Sequence, residues 1–522
     1  MNIVTILEKL AHSHSQRLAL IEDCPDRKGL TFAQLNEKVA SVADRLEQSG
    51  IKSGDVILLY VPMSIKLYEL LLGINRIGAV VLFIDPSYGA KELKHCINLT
   101  KPKALVVADP LLHMARAVAP LFGITKVLAA NQLTVLPLAS TAAIKAQPIA
   151  AVADDAPALI TFTSGSSGLP KGIVRSHGFL NAQCKVLADE LAIGNCQTEM
   201  TTLPIFVLAN LACGVTTILP VSPKRNIFMF SQQAHSRFNR KLTSQLLEHM
   251  PERILAAPAF LMQLASALKE QNIKCHFVSE ILTGGGPVFP PLIDLLREIF
   301  PQAKLTTVYG STEAEPIAHL DVTNQNSSTL NKIALGGGLP QGKVSPQVEL
   351  AILPGAIKSE YTDPEFAIQK GSANIIGEIV VAGDHVVKGY VAGIGDWVNK
   401  IKVGQRIFHR TGDAGYLDAE GNLFLVGRAA MKVSVPNGVV YPLAVEASAM
   451  ASGLIDSCAY LVVRKQRVLV VKLNKTAQQN SSEQLLGSLA FANIDRLVVR
   501  ANLPMDKRHS SKILYSKLKS SL

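Results

Sequence analysis

Thr161-Phe-Thr-Ser-Gly-Ser-Ser-Gly-Leu-Pro-Lys-Gly172 is the stretch that decides how this chain is read. The apolar run Ala158-Leu-Ile160 before it reads as a strand, and Ile173-Val174 and Arg175-Ser-His177 follow it. Gly165, Gly168 and Gly172 stand among hydroxyls at Thr161, Thr163, Ser164, Ser166 and Ser167, and one cation, Lys171, sits beside Pro170. Glycine lets a backbone take positive φ and approach a ligand closely. Successive N–H groups then form an anion-binding concavity, to which hydroxyls add donors and a lysine adds a point charge. The pattern fits a phosphate cradle; the plainer reading is a flexible Gly/Ser linker. The apolar flanks and the Pro170-Lys171-Gly172 exit favour the cradle. It is not a Walker loop, because the G-x-x-x-x-G-K-[ST] spacing is missing.

Upstream of the loop, residues 1–50 predict two amphipathic helices around a turn. Thr31 is placed to cap the second, whose apolar stripe is Leu35, Val39, Val42 and Leu46. Val56–Val61, Ala79–Ile84 and Ala104–Ala108 read as strands, with helices over Ile65–Ile77 and Lys91–Leu99 between them. This alternation predicts an α/β layer with a largely parallel sheet. Residues 127–156, rich in Ala, Thr, Gln and Pro, bridge to the loop. Downstream, a helix is expected from Phe179 to about Leu191, and strands at Ile254–Ala257, Glu280–Thr283 and Thr306–Tyr309. The last two run into glycines, at Gly284-Gly-Gly286 and Gly310. Ligands of open parallel sheets bind where strands end.

From about residue 330 the pattern changes to short strands and turns, so a β subdomain is expected over about 330–428. Asp418-Ala-Glu-Gly421 reads as a hairpin turn between Gly415-Tyr-Leu417 and Asn422–Val426. A domain boundary is expected after Gly427-Arg428. Residues 429–522 then form a small α+β, lid-sized domain, with strands at Cys458–Val463 and Val468–Lys472 and a helix near 482–490.

At 522 residues the chain exceeds one hydrophobic core. No apolar run is long enough to span a bilayer, and the start, Met1-Asn-Ile-Val-Thr-Ile-Leu-Glu-Lys-Leu10, lacks the pattern of a secretory signal. A cytoplasmic location is the expectation. The seven cysteines are scattered with no C-x-x-C pair, which fits buried free thiols and no zinc site. Of the net charge of +11, +8 falls after Arg428, from 13 Lys/Arg against 5 Asp/Glu. Such a tail suits nucleic acid, an anionic membrane surface, or a polyanionic substrate or carrier. No recognised nucleic-acid motif accompanies it, so nucleic acid is not expected, whereas peripheral contact with an anionic membrane stays open.

Three further stretches and one single residue, Arg428, carry chemistry. Tyr309-Gly-Ser-Thr-Glu313 follows a strand: Ser311, Thr312 and Glu313 suit Mg²⁺ and phosphate oxygens, or else a capped helix start. Thr411-Gly-Asp413 stands before a hairpin: Asp413 suits the two hydroxyls of a ribose, or else a turn that bonds its own backbone. Arg428 suits ribose or phosphate, or a surface ion pair. Lys512, in Pro504-Met-Asp-Lys-Arg-His-Ser-Ser-Lys-Ile-Leu514, suits delivery into a cleft, or is one more surface lysine.

Together and in this order these stretches resemble the adenylate-forming superfamily of acyl-CoA synthetases, adenylation domains and luciferases. The phosphate loop, Asp85-Pro86, Thr283–Gly286, Tyr309–Glu313, Gly377-Glu378, Thr411–Asp413, Gly427-Arg428 and Lys512 occupy matching stations over nearly the whole chain. The resemblance implies an N-terminal adenylation core over 1–428 and a mobile C-terminal domain over 429–522. It implies ATP and Mg²⁺, acyl-AMP with pyrophosphate release, and then CoA, a carrier-protein thiol or the substrate's own hydroxyl as acceptor. By motif match, Thr163, Ser164, Gly165, Ser166, Ser167, Gly168 and Lys171 would hold the β,γ-phosphates. Thr312 and Glu313 would serve the α-phosphate, Glu313 also the metal, and Asp413 and Arg428 the ribose. Lys512 would bridge the carboxylate and the α-phosphate. Gly284, Gly285 and Gly286 would pass near adenine and acyl group, with Tyr309, Gly310 and Ser311 also at the nucleotide.

His409–Tyr416, Gly427–Val433 and Asp506–Ile513 look more narrowly like the β-lactone synthetases of bacterial olefin biosynthesis and related fatty-acid ligases. Two departures stand out. Val207 follows Pro204-Ile-Phe206 where many acyl-CoA synthetases carry an aromatic-His pair, and Ala430 occupies the position where many members carry an Asp or Lys hinge. The acid pocket is expected to include Phe206, Val207, Asn210 and Gly214, a mainly apolar set that favours a hydrophobic carboxylic acid. The alternative from another class is a nucleotide-binding regulatory protein of the same fold that has lost turnover. Lys171, Glu313, Asp413 and Lys512 speak against it.

Overall fold

The computed structural model describes residues 1–522 except 25–26, 135–147, 164–168, 222–231, 325, 475–480 and 506–512. Two expected site segments, Ser164–Gly168 and the one containing Lys512, therefore lie outside the described residues. The chain divides into two units. One comprises 1–226, 245–251 and 387–397; the other 227–244, 252–386 and 398–522.

The first unit holds a six-stranded sheet, in the order Lys126–Ala129, Ala104–Val107, Val56–Tyr60, Val80–Phe83, Pro157–Thr163, Lys171–Ser176. The first five strands are parallel and the last is antiparallel. The strands are short and rich in Val, Ile and Leu because both faces are covered. The helix Ile65–Arg76 starts at Ser64, whose Oγ accepts the Leu67 N–H at 3.2 Å. This helix is buried all round, so its polar residues need partners inside. Asn75 donates to the carbonyls of Ala79 at 3.2 Å and Ala158 at 2.9 Å, and Arg76 pairs with Glu8 at 3.3 Å. Asn75 thus ties the helix to the strand that leads into the glycine-rich loop.

The N-terminal expectation needs one correction. The helices Val4–Ser13 and Phe32–Gln48 are present, but a β-hairpin, Leu18–Cys24 with Arg27–Thr31, separates them instead of a turn. Leu18–Cys24 pairs in parallel with Thr216–Leu219, a partner about 200 residues away that no local pattern announces. The cap and stripe of the second helix are as expected. Thr31 and Gln34 form a reciprocal capping box, and Leu35, Val39, Val42 and Leu46 are fully buried.

In the second unit three parallel strands, Arg253–Ala256, Glu280–Gly284 and Lys304–Ser311, open a sheet. It continues antiparallel through Ala314–Asp321, Leu339–Val344, Asn422–Arg428, Arg406–Leu417, Gly377–Ala382 and Glu349–Leu353. The Asp418–Gly421 turn forms as expected, with the Gly421 N–H donating to the Asp418 carbonyl at 3.0 Å. After Arg428 come a hairpin, Val433–Val435 with Gly438–Val440, and the helix Pro442–Ala451. A three-stranded sheet follows, Ile455–Val463, Gln466–Leu473 and Arg496–Val499, with the helices Ser481–Ser488 and Tyr515–Ser520. The helix Pro442–Ala451 packs on Asn422–Arg428 and on Ser327–Ala334, sharing a core of Ile333, Leu339 and Ala447.

Among the described residues Cys96, Cys184, Cys196, Cys275 and Cys458 are buried free thiols and Cys213 is half-buried. No described helix is long and apolar enough to cross a membrane.

Candidate active site

In the second unit, the end of the strand Lys304–Ser311 meets the middle of Arg406–Leu417. Tyr309 and Asp413 lie 104 residues apart in sequence, yet the Tyr309 hydroxyl donates to Asp413 Oδ2 at 2.9 Å. Asp413 is the cross-strand partner of Arg428, which donates from Nη1 to Asp413 Oδ1 at 2.7 Å and to the Thr411 carbonyl at 3.3 Å. The Asp413 N–H donates to Thr411 Oγ1 at 3.0 Å, and that hydroxyl donates to the Ile379 carbonyl at 2.9 Å. Both carboxylate oxygens are therefore oriented by the protein, and each keeps a further lone pair for an incoming hydroxyl.

The charges follow from this packing. Burial pushes the Tyr309 hydroxyl well above its ordinary pKa and the neighbouring Asp413 charge adds to this, so Tyr309 stays a neutral donor. Burial works against the Arg428 charge, but the Asp413 carboxylate, with smaller help from Tyr309 and Glu313, leaves the guanidinium pKa raised. Arg410 adds a bidentate clamp on Glu378, Nε to Oε1 at 3.0 Å and Nη2 to Oε2 at 2.6 Å, fixing the Gly377–Ala382 strand beside the site.

Two glycines are needed for this geometry. Gly412 has φ +71°, and a Cβ there would stand 3.1 Å from Arg428 Nη2. A Cβ on Gly284 would stand 2.4 Å from the Val308 carbonyl oxygen, so only glycine lets those strands approach. Gly285 and Gly286 form the bend that follows.

Thr411-Gly-Asp413 does not stand before a hairpin; it lies inside the long strand Arg406–Leu417, and the Asp413 side chain reaches across to Arg428 rather than to its own backbone. Tyr309-Gly-Ser-Thr-Glu313 does not start a helix. Ser311 pairs with Ala314 across a tight turn made by Thr312 and Glu313, and the chain returns as Ala314–Asp321. Gly310 is in the strand, and the Ser311 Oγ is buried with no hydrogen-bond partner in the described structure. Thr312, at the turn, is exposed and Glu313 is half-buried.

In the first unit, Thr163 and Lys171 are cross-strand partners at the base of the glycine-rich hairpin. Lys171 is only 8% exposed, with Nζ 5.7 Å from the centre of the Tyr390 ring. The exit is pinned where His95 Nε2 meets the Pro170 carbonyl at 3.1 Å. Arg175 donates to Thr161 Oγ1 at 2.8 Å, bracing the same two strands.

Phe206, Val207 and Asn210 lie on one buried helix, Pro204–Cys213, which ends at Gly214 with φ +72°. Asn210 Nδ2 donates to Glu199 Oε1 at 2.8 Å. Glu199 is a fully buried carboxylate on the strand Thr198–Thr201, and the sequence reading missed it. The strand reads Thr-Glu-Met-Thr, with no apolar pattern to mark its acid as buried.

The family model for "AMP-binding enzyme" matches residues 7–391. An olefin β-lactone synthetase of Xanthomonas campestris pv. campestris is 26% identical over 99% of this chain and 96% of its own length. A 2-succinylbenzoate–CoA ligase of Geobacillus kaustophilus is 25% identical over 84% of this chain and 80% of its own length. Among solved structures, the amide bond synthetase McbA of Marinactinospora thermotolerans superposes with a TM-score of 0.79 at 19% identity, covering 100% of both chains.

Proposed function

The chain belongs to the AMP-binding enzyme family, and we propose that it joins a hydrophobic carboxylic acid to ATP, giving acyl-AMP and pyrophosphate. The observation that carries this reading is the Asp413 carboxylate held between Tyr309 and Arg428, with lone pairs left to take a ribose diol. The buried Ser311 hydroxyl, two residues after Tyr309 on the same strand, has no hydrogen-bond partner in the described structure, and we assign its donor to the same ligand.

The roles follow the family's motifs. Asp413 and Arg428 bind the ribose, Tyr309 orients Asp413, and Gly284–Gly286 pass along adenine and acyl group. Thr163, Lys171 and the segment 164–168 take the β,γ-phosphates. Thr312 and Glu313 serve the α-phosphate, and Glu313 is the carboxylate suited to Mg²⁺, which when bound neutralises phosphate charge. Lys512 brings the substrate carboxylate against the α-phosphate. Two anions must meet in this step, so positioning and neutralisation are what the protein supplies.

The buried apolar helix Pro204–Cys213 favours a fatty acid over an amino acid. Relatives named as CoA ligases and as β-lactone synthetases leave two fates for the acyl-AMP: transfer to CoA or a carrier-protein thiol, or closure by the substrate's own β-hydroxyl. The near full-length match to the β-lactone synthetase, with Ala430 at the hinge position, favours closure. The enzyme works as a protein with no described membrane span, and residues 429–522 act as its movable small domain.

ATP–pyrophosphate exchange over fatty, β-hydroxy fatty, aryl and amino acids tests the reading, with Lys512→Ala as control. Exchange with fatty or β-hydroxy fatty acids is expected, falling by orders of magnitude in Lys512→Ala. Products with and without CoA then separate thioester from lactone. ATP binding with no exchange on any acid would instead point to a regulatory protein.

A further inference from the structure

We propose that Asp23, Glu248 and His249 form a binding site for a first-row divalent cation of the Zn²⁺ type, which fastens the N-terminal hairpin to the end of a helix.

The helix Gln232–His249 ends beside the hairpin of Leu18–Cys24 with Arg27–Thr31. Its last residues, 245–249, and the hairpin belong to the first unit. One strand, Thr216–Leu219, fixes both sides of the site. Gln245, 1% exposed, donates from Nε2 to the Leu219 carbonyl at 3.1 Å and accepts the Val221 N–H on Oε1 at 2.9 Å. His249 stands four residues after Gln245, so it lies on the same face of the helix. On the hairpin side, Glu22 is the parallel partner of Leu219, and Asp23 follows it. Successive strand residues point to opposite faces. Glu22 turns to the Ile65 N–H, which it accepts at 2.8 Å, and Asp23 turns to His249.

His249 Nε2 lies 2.9 Å from Asp23 Oδ1, although 226 residues separate them. An ion pair would account for these two alone. The third donor changes the reading: one ligand atom from each of Asp23, Glu248 and His249 lies within 4.8 Å of the other two. Donors bound to zinc at about 2.0–2.2 Å stand roughly 3.3 Å apart, so a small inward turn of the side chains closes the set. The His249 and Asp23 side chains are 15% and 28% exposed, which leaves an entry path and room for that turn. Helix polarity adds to the two carboxylate charges. Pro251 has no N–H to give the Leu247 carbonyl, and a helix C-terminus favours a cation. One imidazole nitrogen with two carboxylates suits Zn²⁺ and its first-row neighbours, whereas Mg²⁺ and Ca²⁺ take oxygen ligands. The expectation of no zinc site rested on cysteine spacing, and this set holds no cysteine.

The test is Zn²⁺ titration of the chelator-stripped full chain by calorimetry, with Mg²⁺ in excess to occupy oxygen-only sites, together with melting temperature. Wild type is compared with Glu248→Gln, His249→Ala, Asp23→Asn and Glu313→Gln, the last altering the carboxylate assigned to Mg²⁺. Wild type and Glu313→Gln are expected to bind one Zn²⁺ per chain and to melt higher with Zn²⁺ than without it. Glu248→Gln leaves the Asp23–His249 pair in place. Its Zn²⁺ affinity should still fall by at least the roughly tenfold that loss of even an outer-shell partner costs. His249→Ala and Asp23→Asn should abolish binding and the gain in melting temperature.

No Zn²⁺ binding by wild type would overturn the proposal, as would wild-type affinity in His249→Ala. Loss of Zn²⁺ in Glu313→Gln with full retention in Glu248→Gln would also overturn it, by placing the ion at the other carboxylate. Should His249→Ala fail to fold, Glu248→Gln decides: unchanged affinity there removes the third ligand and the site with it.

Discussion

Asp413 shows what a single residue contributes at this site. It spends one lone pair of each oxygen on Arg428 and Tyr309 and keeps the others, so its orientation is fixed before any ligand arrives. Asp413→Ala should raise KM for ATP by roughly tenfold to a hundredfold, the worth of charged hydrogen bonds, with a smaller effect on kcat; steady-state kinetics checks this. Asn210 plays a different part. Its amide serves the buried Glu199, so Asn210→Leu should destabilise the protein by about 1–3 kcal/mol in urea unfolding, whatever it does to the acid preference. Residue chemistry was readable where a motif kept its members together, as in Tyr309–Glu313. It was unreadable where the partner is distant, as with Tyr309 and Asp413, or where no local pattern marks it, as with Glu199 and Asn210.

At the scale of elements, periodicity and capping carried the reading where a segment's neighbours are local. The helix Phe32–Gln48 and the strand at Val56 came out of the sequence close to their observed bounds. The hairpin at Leu18 did not, because its stabilising partner is the remote strand Thr216–Leu219. Likewise the apolar run around Pro204 carries no clear period and resolves into a buried helix followed by a strand only when the layers around it are present. Strand approach also constrains sequence. Gly284→Ala would force a methyl to within 2.4 Å of the Val308 oxygen, so it should cost about 1–3 kcal/mol and lower the urea midpoint even without ligand.

Across the whole molecule, the order of motifs identified the family, because several weak signals in one fixed sequence exclude most other folds together. What the order left hidden is the chain's response to pH. Burial raises the Glu446 carboxyl from an ordinary 4.5 to about 7, against the opposing bonds from Tyr515 and Tyr460. The folded chain therefore keeps a proton that the unfolded chain releases above about pH 4.5, and stability falls as pH rises from there through about 7. Glu446→Gln removes that loss. At pH 8 the variant should melt above wild type, by a stabilisation of about 3 kcal/mol, and the gap should close towards pH 4.5. A gap that does not change with pH would show that Glu446 does not titrate this way. The cysteines carry one more consequence. Burial pushes Cys96 and Cys184 up to about 12 and Cys275 to about 11, so these thiols stay protonated and enclosed. An enzyme that makes a mixed anhydride keeps a strong acylating agent in its own interior, and these three sulfurs are poor nucleophiles toward it. After many turnovers, intact-mass spectra should show them free of acyl adducts: the chain is built to tolerate its own product.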